Sequence, residues 1–172
     1  EQSFENVFGS IPTTADKAGI AIGEVNTKFG ATGEMLEELS RLFIQFAEIN
    51  DADLNSSIDS TSHLMQQWNL DISQTPNLLG LISSEAQRTG IATNTLMASL
   101  EKNGSTFKEL GLSIDQSIVL LANFEMAGVD TGTALAALRK SASAYTAEGK
   151  TMQQGFSETV AAIKNAKTET EA

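Results

Sequence analysis

Apolar residues recur at intervals of three and four along most of this chain, with polar residues between them. The clearest stretch follows Thr32, and its apolar positions are Met35, Leu36, Leu39, Leu42, Phe43 and Phe46. The next stretch follows Asp51 and contains Leu54, Ile58, Met65 and Trp68, with Leu64 at its edge. This spacing places apolar side chains on one face of an α-helix. The pattern therefore predicts a succession of amphipathic helices that pack against one another.

Capping residues and glycines divide the pattern into separate helices, because polar caps favour helix starts and glycine favours helix ends. The expected starts are Thr13 (with Asp16), Thr32, Asp51, Thr75-Pro76, Thr93, Ser113 (with Gln116), Thr131 or Asp130, and Thr151 (with Gln154). The expected stops are Gly30, Gly90, Gly104, Gly128 and Gly149, with a single turn from Thr106 to Glu109 before Gly111. Residues 1–12 are predicted to form an irregular lead, and residues 168–172 a frayed tail.

A short sequence motif that ends one helix and begins the next occurs three times. It combines a glycine or polar residue, an apolar residue and a polar cap, and its apolar members are Ile49, Ile91 and Val129. Successive copies are about 40 residues apart, a period typical of paired helices used as a repeating unit. The caps of the first helices follow a similar period and are Thr32, Thr75 and Ser113.

These signals predict an all-α fold. It is a helical bundle or a short solenoid-like array of about eight helices, built from repeated αα-hairpins. The predicted helical-repeat domain covers residues 13–167, with hairpins near 32–69, 75–103 and 113–148 and flanking helices at 14–29 and 152–167. The alternative is that the three copies show only the caps and glycines that all helical hairpins share, and that the chain has no true repeat.

Composition limits the functional classes. The chain has 22 acidic residues against 11 Lys and Arg, a formal net charge of −11, and this acidic surface predicts no nucleic-acid binding. It has no cysteine, which excludes disulfides and thiolate metal sites. No apolar run approaches the roughly 20 residues needed to span a bilayer, so no membrane span is predicted. The first residue is Glu1 rather than Met, and we therefore expect a piece of a longer protein.

One segment resembles the alternating oxygen ligands of a calcium-binding EF-hand loop. Its members are Asp51, Asp53, Asn55, Ser57 and Asp59. The match fails at Ser56, where the loop requires glycine for a sharp turn, and at Ser62, where it requires a bidentate glutamate. We therefore interpret Asp51 as a helix cap and predict no metal site.

Other candidate residues also have structural interpretations. His63 is expected on the polar face, without a Cys or a second His to complete a metal site. Glu34, Glu37 and Glu38 complement a helix dipole, although paired carboxylates can also serve glycoside hydrolysis. The glycines at both ends of 19–23 favour a close helix contact. No phosphate-binding loop or nucleophile motif is present. We predict no catalytic, cofactor-binding or metal-binding residue, and no enzyme.

Several runs together resemble phage tail tape measure proteins. The run IGEVNTKFGATG at 22–33 is similar to the ADVNTRFGxTG segment of that family. The other similar runs are 110–113 with 123–129, 147–150 and 163–166. The likeness extends over about residues 11–167, and its residues are structural glycines, caps and apolar positions rather than catalytic ones.

The resemblance implies a structural virion protein that sets tail length during assembly and leaves the tail ahead of the DNA at infection. Its implied partners are the tail tube protein and tail assembly proteins, with self-association left open. Its implied locations are the virion tail and, during assembly, the host cytoplasm. Some family members have peptidoglycan-cleaving domains elsewhere in the chain, but no such motif is visible in this segment.

The interruptions in the helical pattern refine this expectation. A continuous helix of 172 residues would extend about 260 Å, whereas a compact domain of this size has a radius of gyration near 16 Å. We therefore expect a folded domain within the length-setting protein and not its extended measuring stretch. Two alternatives remain at this point: a bacterial helical-repeat interaction module unrelated to phage tails, and a small helical hydrolase using the Glu34 cluster.

Overall fold

The structure is a computed structural model, and it describes residues 2–151, 154, 155 and 158. These residues include eight α-helices and one short 3-10 helix. The helices are α1 Gln2–Phe8, α2 Ala15–Phe29, α3 Gly33–Ile49, α4 Leu54–Trp68, α5 Thr75–Thr89, α6 Thr93–Glu109, α7 Ile114–Met126 and α8 Thr131–Ala147. The 3-10 helix Ile72–Gln74 leads directly into α5. No strand occurs within these described ranges, and the predicted all-α class is confirmed.

The helices form two layers. In the odd layer, α1 packs on α3, α3 on α5 and α5 on α7; in the even layer, α2 packs on α4, α4 on α6 and, more loosely, α6 on α8. Consecutive helices also contact each other, most extensively α2 with α3 and α6 with α7. Each hairpin therefore supplies one helix to each layer. Such stacking of successive hairpins is typical of solenoid-like arrays and differs from a four-helix bundle.

Apolar side chains from both layers fill the space between them. The fully buried ones include Phe43, Ile44, Ile58, Leu64, Leu78, Ile82, Leu96, Leu100 and Phe107. Burying one such side chain stabilises the fold by about 1.5–3 kcal/mol. Burial decreases at α8, where Thr131 and Leu135 are the buried residues. The array is therefore packed most firmly in its central helices.

Polar side chains join neighbouring helices of the same layer. Lys28 of α2 donates to Asp59 of α4 at 2.5 Å, and the Gln67 amide of α4 donates to the Glu101 carbonyl of α6 at 3.1 Å. In the odd layer, Arg88 of α5 donates to the Asn123 side chain of α7 at 2.8 Å. These bonds connect positions roughly one hairpin apart in the chain.

The N-terminal caps correct the sequence interpretation at four helices. Asp53, and not Asp51, caps α4, because its carboxylate accepts the Ser56 N–H at 2.8 Å. Thr14 rather than Thr13 caps α2. Thr75 and Thr93 are the buried first residues of α5 and α6, and Gln74 and Ala92 occupy the cap positions before them. Either Thr131 or Asp130 was possible at α8, and the structure has Asp130 there. The sequence interpretation was one or two residues off at each of the four.

Asp51 closes α3 instead of opening α4. Its φ of 49° lies in the left-handed region, where the chain turns back and the Ala52 N–H donates to the Ala47 carbonyl at 2.8 Å. Aspartate and asparagine tolerate this conformation better than other residues with a side chain. Both roles, helix stop and helix start, favour aspartate, which is why the sequence alone did not distinguish Asp51 from Asp53.

The predicted helix stop at Gly104 is wrong, and α6 continues to Glu109. Gly104 is buried within the helix, and a Cβ atom there would lie 2.5 Å from the Gln67 side-chain oxygen. A side chain at this position would therefore have to displace the Gln67 amide from its place between α6 and α4. The hairpin expected at 75–103 accordingly extends from Thr75 to Glu109.

The lead expected to be irregular at 1–12 contains the helix α1. Val7 is fully buried, and the rings of Phe4 and Phe8 stack with centroids 5.8 Å apart. Seven residues form a marginal helix on their own, so packing on α2 and α3 stabilises it. The apolar periodicity of residues 1–12 is too weak for the sequence alone to indicate this helix.

The end of the chain is described only in part. Thr151 and Gln154 form the expected reciprocal capping bonds, at 2.9 and 3.2 Å between backbone N–H groups and side-chain oxygens. Gln154, Gly155 and Glu158 are helical. The rest of the helix predicted at 152–167, the run 163–166 and the frayed tail predicted at 168–172 lie outside the described residues.

Candidate interaction surface

The alternating carboxylates of 51–59 have separate structural roles. Asp53 caps α4, and the Ser56 N–H that it accepts lowers its pKa below the usual range. Asp59 faces α2, where the hydrogen bond from Lys28 lowers its pKa. Helical geometry separates alternate residues instead of directing them at one point. Across the described residues, no group of three or more His, Cys, Asp or Glu is arranged to hold a metal ion.

His63 lies on the polar face of α4, as its position in the apolar pattern predicts. Its side chain is 55% exposed, and its ring nitrogens lie 3.7 Å from the Glu101 carboxylate and 4.0 Å from the Asp59 carboxylate. Neither distance is short enough for a hydrogen bond. The three side chains therefore form an exposed polar cluster where α4 meets α6.

The three glutamates at the start of α3 do not converge on an enclosed site. Glu37 accepts a hydrogen bond from the Asn6 amide at 2.9 Å and lies 3.9 Å from Arg41, so it holds α1 against α3. Glu34 and Glu38 are exposed. Glycoside hydrolysis uses two carboxylates that face each other across a bound sugar, and no such enclosed pair is formed by these three glutamates. This geometry does not support the hydrolase alternative.

The glycines at 19 and 23 do not make the close helix contact that their spacing suggested. A Cβ atom at Gly19 or Gly23 would meet nothing within 4 Å, and the intervening Ile20 is 39% exposed. The small-residue face of α2 therefore points outward. It is an open part of the even layer's surface.

Two open clefts lie on the outer side of the odd layer, one on each side of α5. The first, between α3 and α5, is lined by Met35, Glu38, Leu39, Arg41, Leu42, Gln45, Ile72, Ser73 and Pro76. The second, between α5 and α7, is lined by Asn77, Leu81, Asp115, Gln116, Val119, Leu120 and Asn123. Apolar side chains form much of both floors. We refer to them as the α3/α5 cleft and the α5/α7 cleft.

The ridge of α5 between the clefts is low at its centre. Gly80 is exposed in the middle of the helix, and a Cβ atom there would meet nothing within 4 Å. Met35 and Val119, one in each cleft, are 37% and 38% exposed. The odd layer therefore presents two apolar depressions, and the helix between them has an exposed position without a side chain.

Sequence reasoning did not find this surface. Met35 and Leu42 were assigned to the apolar stripe of their helix, and no pattern distinguished stripe residues that face the core from those that face a neighbouring cleft. The available signal was Gly80, a glycine inside a helical pattern that neither ends the helix nor begins a turn.

The helices within the described residues are too short or too polar to cross a membrane. No match to the chain is found among curated proteins, and none among solved structures. The sequence model of one family, described as phage-related minor tail protein, matches residues 3–171. That range is nearly the whole chain, and it excludes the alternative of a bacterial module unrelated to phage tails. The chain thus belongs to the phage-related minor tail protein family and is a structural protein of the phage tail.

Proposed function

We propose that this chain is a non-enzymatic domain of a tail tape measure protein, the protein that sets tail length during assembly. The observation that supports the proposal most directly is the family match over residues 3–171. The resemblance of 22–33, and of 110–113 with 123–129, to tape measure segments supports this type of protein within the family. The tail tube protein and tail assembly proteins are the partners that we propose, in the virion tail and in the host cytoplasm before it.

Within that protein, the folded form of the segment is suited to contacts and not to measuring length. The longest helices among the described residues have 17 residues, which corresponds to about 25 Å, and each ends at a cap. A measuring stretch requires an element whose length is proportional to its residue number. A stacked array of short helices lacks that proportionality.

The experiment is an in-frame deletion of residues 13–151 from the parent gene in a phage that encodes it. Tail number and tail length are measured by negative-stain electron microscopy. We expect fewer tailed particles, with the remaining tails close to their normal length. Tails shortened by about 1.5 Å per deleted residue would assign the segment to the measuring stretch. Normal numbers of normal tails would contradict a role in assembly.

A matched variant separates loss of the domain's contacts from loss of chain length. Leu64 is fully buried, and Leu64→Asp places a charge in the core without removing residues. If the folded domain makes assembly contacts, this variant reproduces the deletion's loss of tails. Ile49→Asp, at a position 69% exposed, is the control and is expected to assemble normally.

A further inference from the structure

We propose that the α3/α5 and α5/α7 clefts together bind one amphipathic helix of another protein, which lies across α5 at Gly80 and has basic residues along the flank that faces the start of α5. The inference concerns a surface of the isolated chain and does not depend on the tape measure assignment. Amphipathic helices commonly bind in apolar grooves through side chains spaced three and four residues apart. Here the two clefts would receive successive groups of such side chains.

Gly80 indicates where the bound helix would cross. Glycine weakens a helix interior relative to alanine, and the open space around Gly80 shows that no contact within the described chain requires it. Small residues allow two helix backbones to approach closely. A partner helix resting on α5 at this position supplies a physical reason for glycine that the chain's own packing lacks.

The floors of the clefts match the apolar side of such a helix. Leu81 and Val119 line the α5/α7 cleft, and Met35, Leu42 and Ile72 line the α3/α5 cleft. Val119 and Met35 are each more than a third exposed, although most large apolar residues of the chain are buried. Covering them would remove apolar surface from water on both sides of the ridge.

Charge identifies the partner's polar flank. Glu38, Asp71 and Asp115 are exposed around the start of α5, and Glu38 and Asp115 line the two clefts on either side of it. Arg41, which also lines the α3/α5 cleft, lies 3.9 Å from the Glu37 carboxylate. The acidic border at the start of α5 attracts basic residues and disfavours a second copy of a chain whose net charge is −11.

The test uses two synthetic amphipathic helices of roughly 18 residues, identical except that one has four Lys and the other four Glu along one flank. Each is titrated into the nitrogen-15-labelled chain at about 0.15 M salt, where exposed charges are screened beyond about 8 Å. We expect the Lys peptide to shift the amide signals of Gly80, Leu81 and Val119 saturably. Equal binding of the Glu peptide, or shifts confined to other helices, would overturn the proposal.

Two glycine variants separate this site from general attraction to an acidic protein. Gly80→Leu fills the crossing point and is expected to weaken Lys-peptide binding at least tenfold. Gly23→Leu, at an equally open position on α2, is expected to leave it within about twofold. Both changes replace an exposed helical glycine with a strong helix former, so both variants should fold. Equal effects of the two variants would contradict the proposal.

A charge reversal and an association measurement complete the test. Asp115→Lys should weaken binding of the Lys peptide and strengthen binding of the Glu peptide, because it reverses the charge at one position of the acidic border. Sedimentation velocity is expected to show that the chain alone does not dimerise through this face. A dimer abolished by Gly80→Leu would assign the surface to a second copy and overturn the proposed basic partner.

Discussion

The loop between α3 and α4 allows a direct measurement of which aspartate begins α4. In the structure the Asp53 carboxylate accepts the Ser56 N–H at 2.8 Å, and Asp53→Ala removes that acceptor. Loss of such a cap destabilises a protein by about 1 kcal/mol, within a range of 0.5–2. For a domain of this size, about 1 kcal/mol corresponds to roughly 2–4 °C in Tm. We therefore expect Asp53→Ala to lower Tm by about that amount.

The companion substitutions at Asp51 should behave differently, because Asp51 adopts the left-handed conformation. That conformation costs a residue with a Cβ atom about 1 kcal/mol, and glycine avoids the cost while gaining entropy in the unfolded chain. We expect Asp51→Gly to be at least as stable as the parent. Asp51→Ala should be less stable than Asp51→Gly by about 0.5–1 kcal/mol.

The assays are thermal unfolding, which gives Tm, and urea unfolding, which gives the free energy of unfolding, both followed by far-ultraviolet circular dichroism and repeated from pH 6 to pH 3. The pKa of Asp53 is lowered in the folded state because the Ser56 N–H bonds to its ionised form. Its stabilising contribution is therefore complete above the unfolded pKa near 4 and is lost as the pH falls through the folded pKa. Asp53→Asn keeps an acceptor oxygen that does not titrate, so the parent should lose more stability than this variant on acidification.

The opposite pattern would refute the reasoning. If Asp51 were the cap, Asp51→Gly would destabilise the fold by a few tenths of a kcal/mol, Asp51→Ala would do so by about 1 kcal/mol, and Asp53→Ala would have little effect. An Asp53→Ala variant that unfolds at the parent's urea concentration, together with a destabilised Asp51→Gly, would restore the sequence interpretation.

Two further predictions concern packing. Leu64→Ala should lower the free energy of unfolding by about 2–5 kcal/mol because Leu64 is fully buried. Ile49→Ala, at a position 69% exposed, should change that free energy by less than about 0.5 kcal/mol. Equal urea midpoints for the two variants would contradict the assigned core. Gly104→Leu must displace the Gln67 side chain and should lower the free energy of unfolding by about 1–3 kcal/mol. Gly80→Leu adds its side chain in open space and should not lower stability when both variants are compared by thermal unfolding.

Local signals predicted most of the helices. Ser113 and Gln116 exchange the two capping bonds that their spacing indicates, and α7 begins between them at Ile114. Gly128 adopts a left-handed φ of 66° directly after α7, and the Val129 N–H returns to the Phe124 carbonyl at 2.9 Å. Such caps act within six residues, which is why sequence alone could place them.

Features that depend on distant residues were missed. Gly104 has the sequence character of a helix stop, and its actual role becomes visible only when Gln67 of a neighbouring helix lies against it. The short α1 depends on burial of Val7 rather than on its own propensity. The clefts beside α5 result from the lateral spacing of three odd-layer helices, and no residue pattern records that spacing. That the hairpins are true repeats, about 40 residues apart, remains a prediction from the sequence.

The layered order of the helices has a consequence for synthesis of the chain. The extensive helix–helix contacts join helices no more than two positions apart in the order α1 to α8. Such low contact order favours rapid folding. Folding of nascent chains proceeds from the N-terminus as residues emerge from the ribosome. Each new hairpin can therefore dock on the one made just before it, and completion of the early core does not wait for the end of translation.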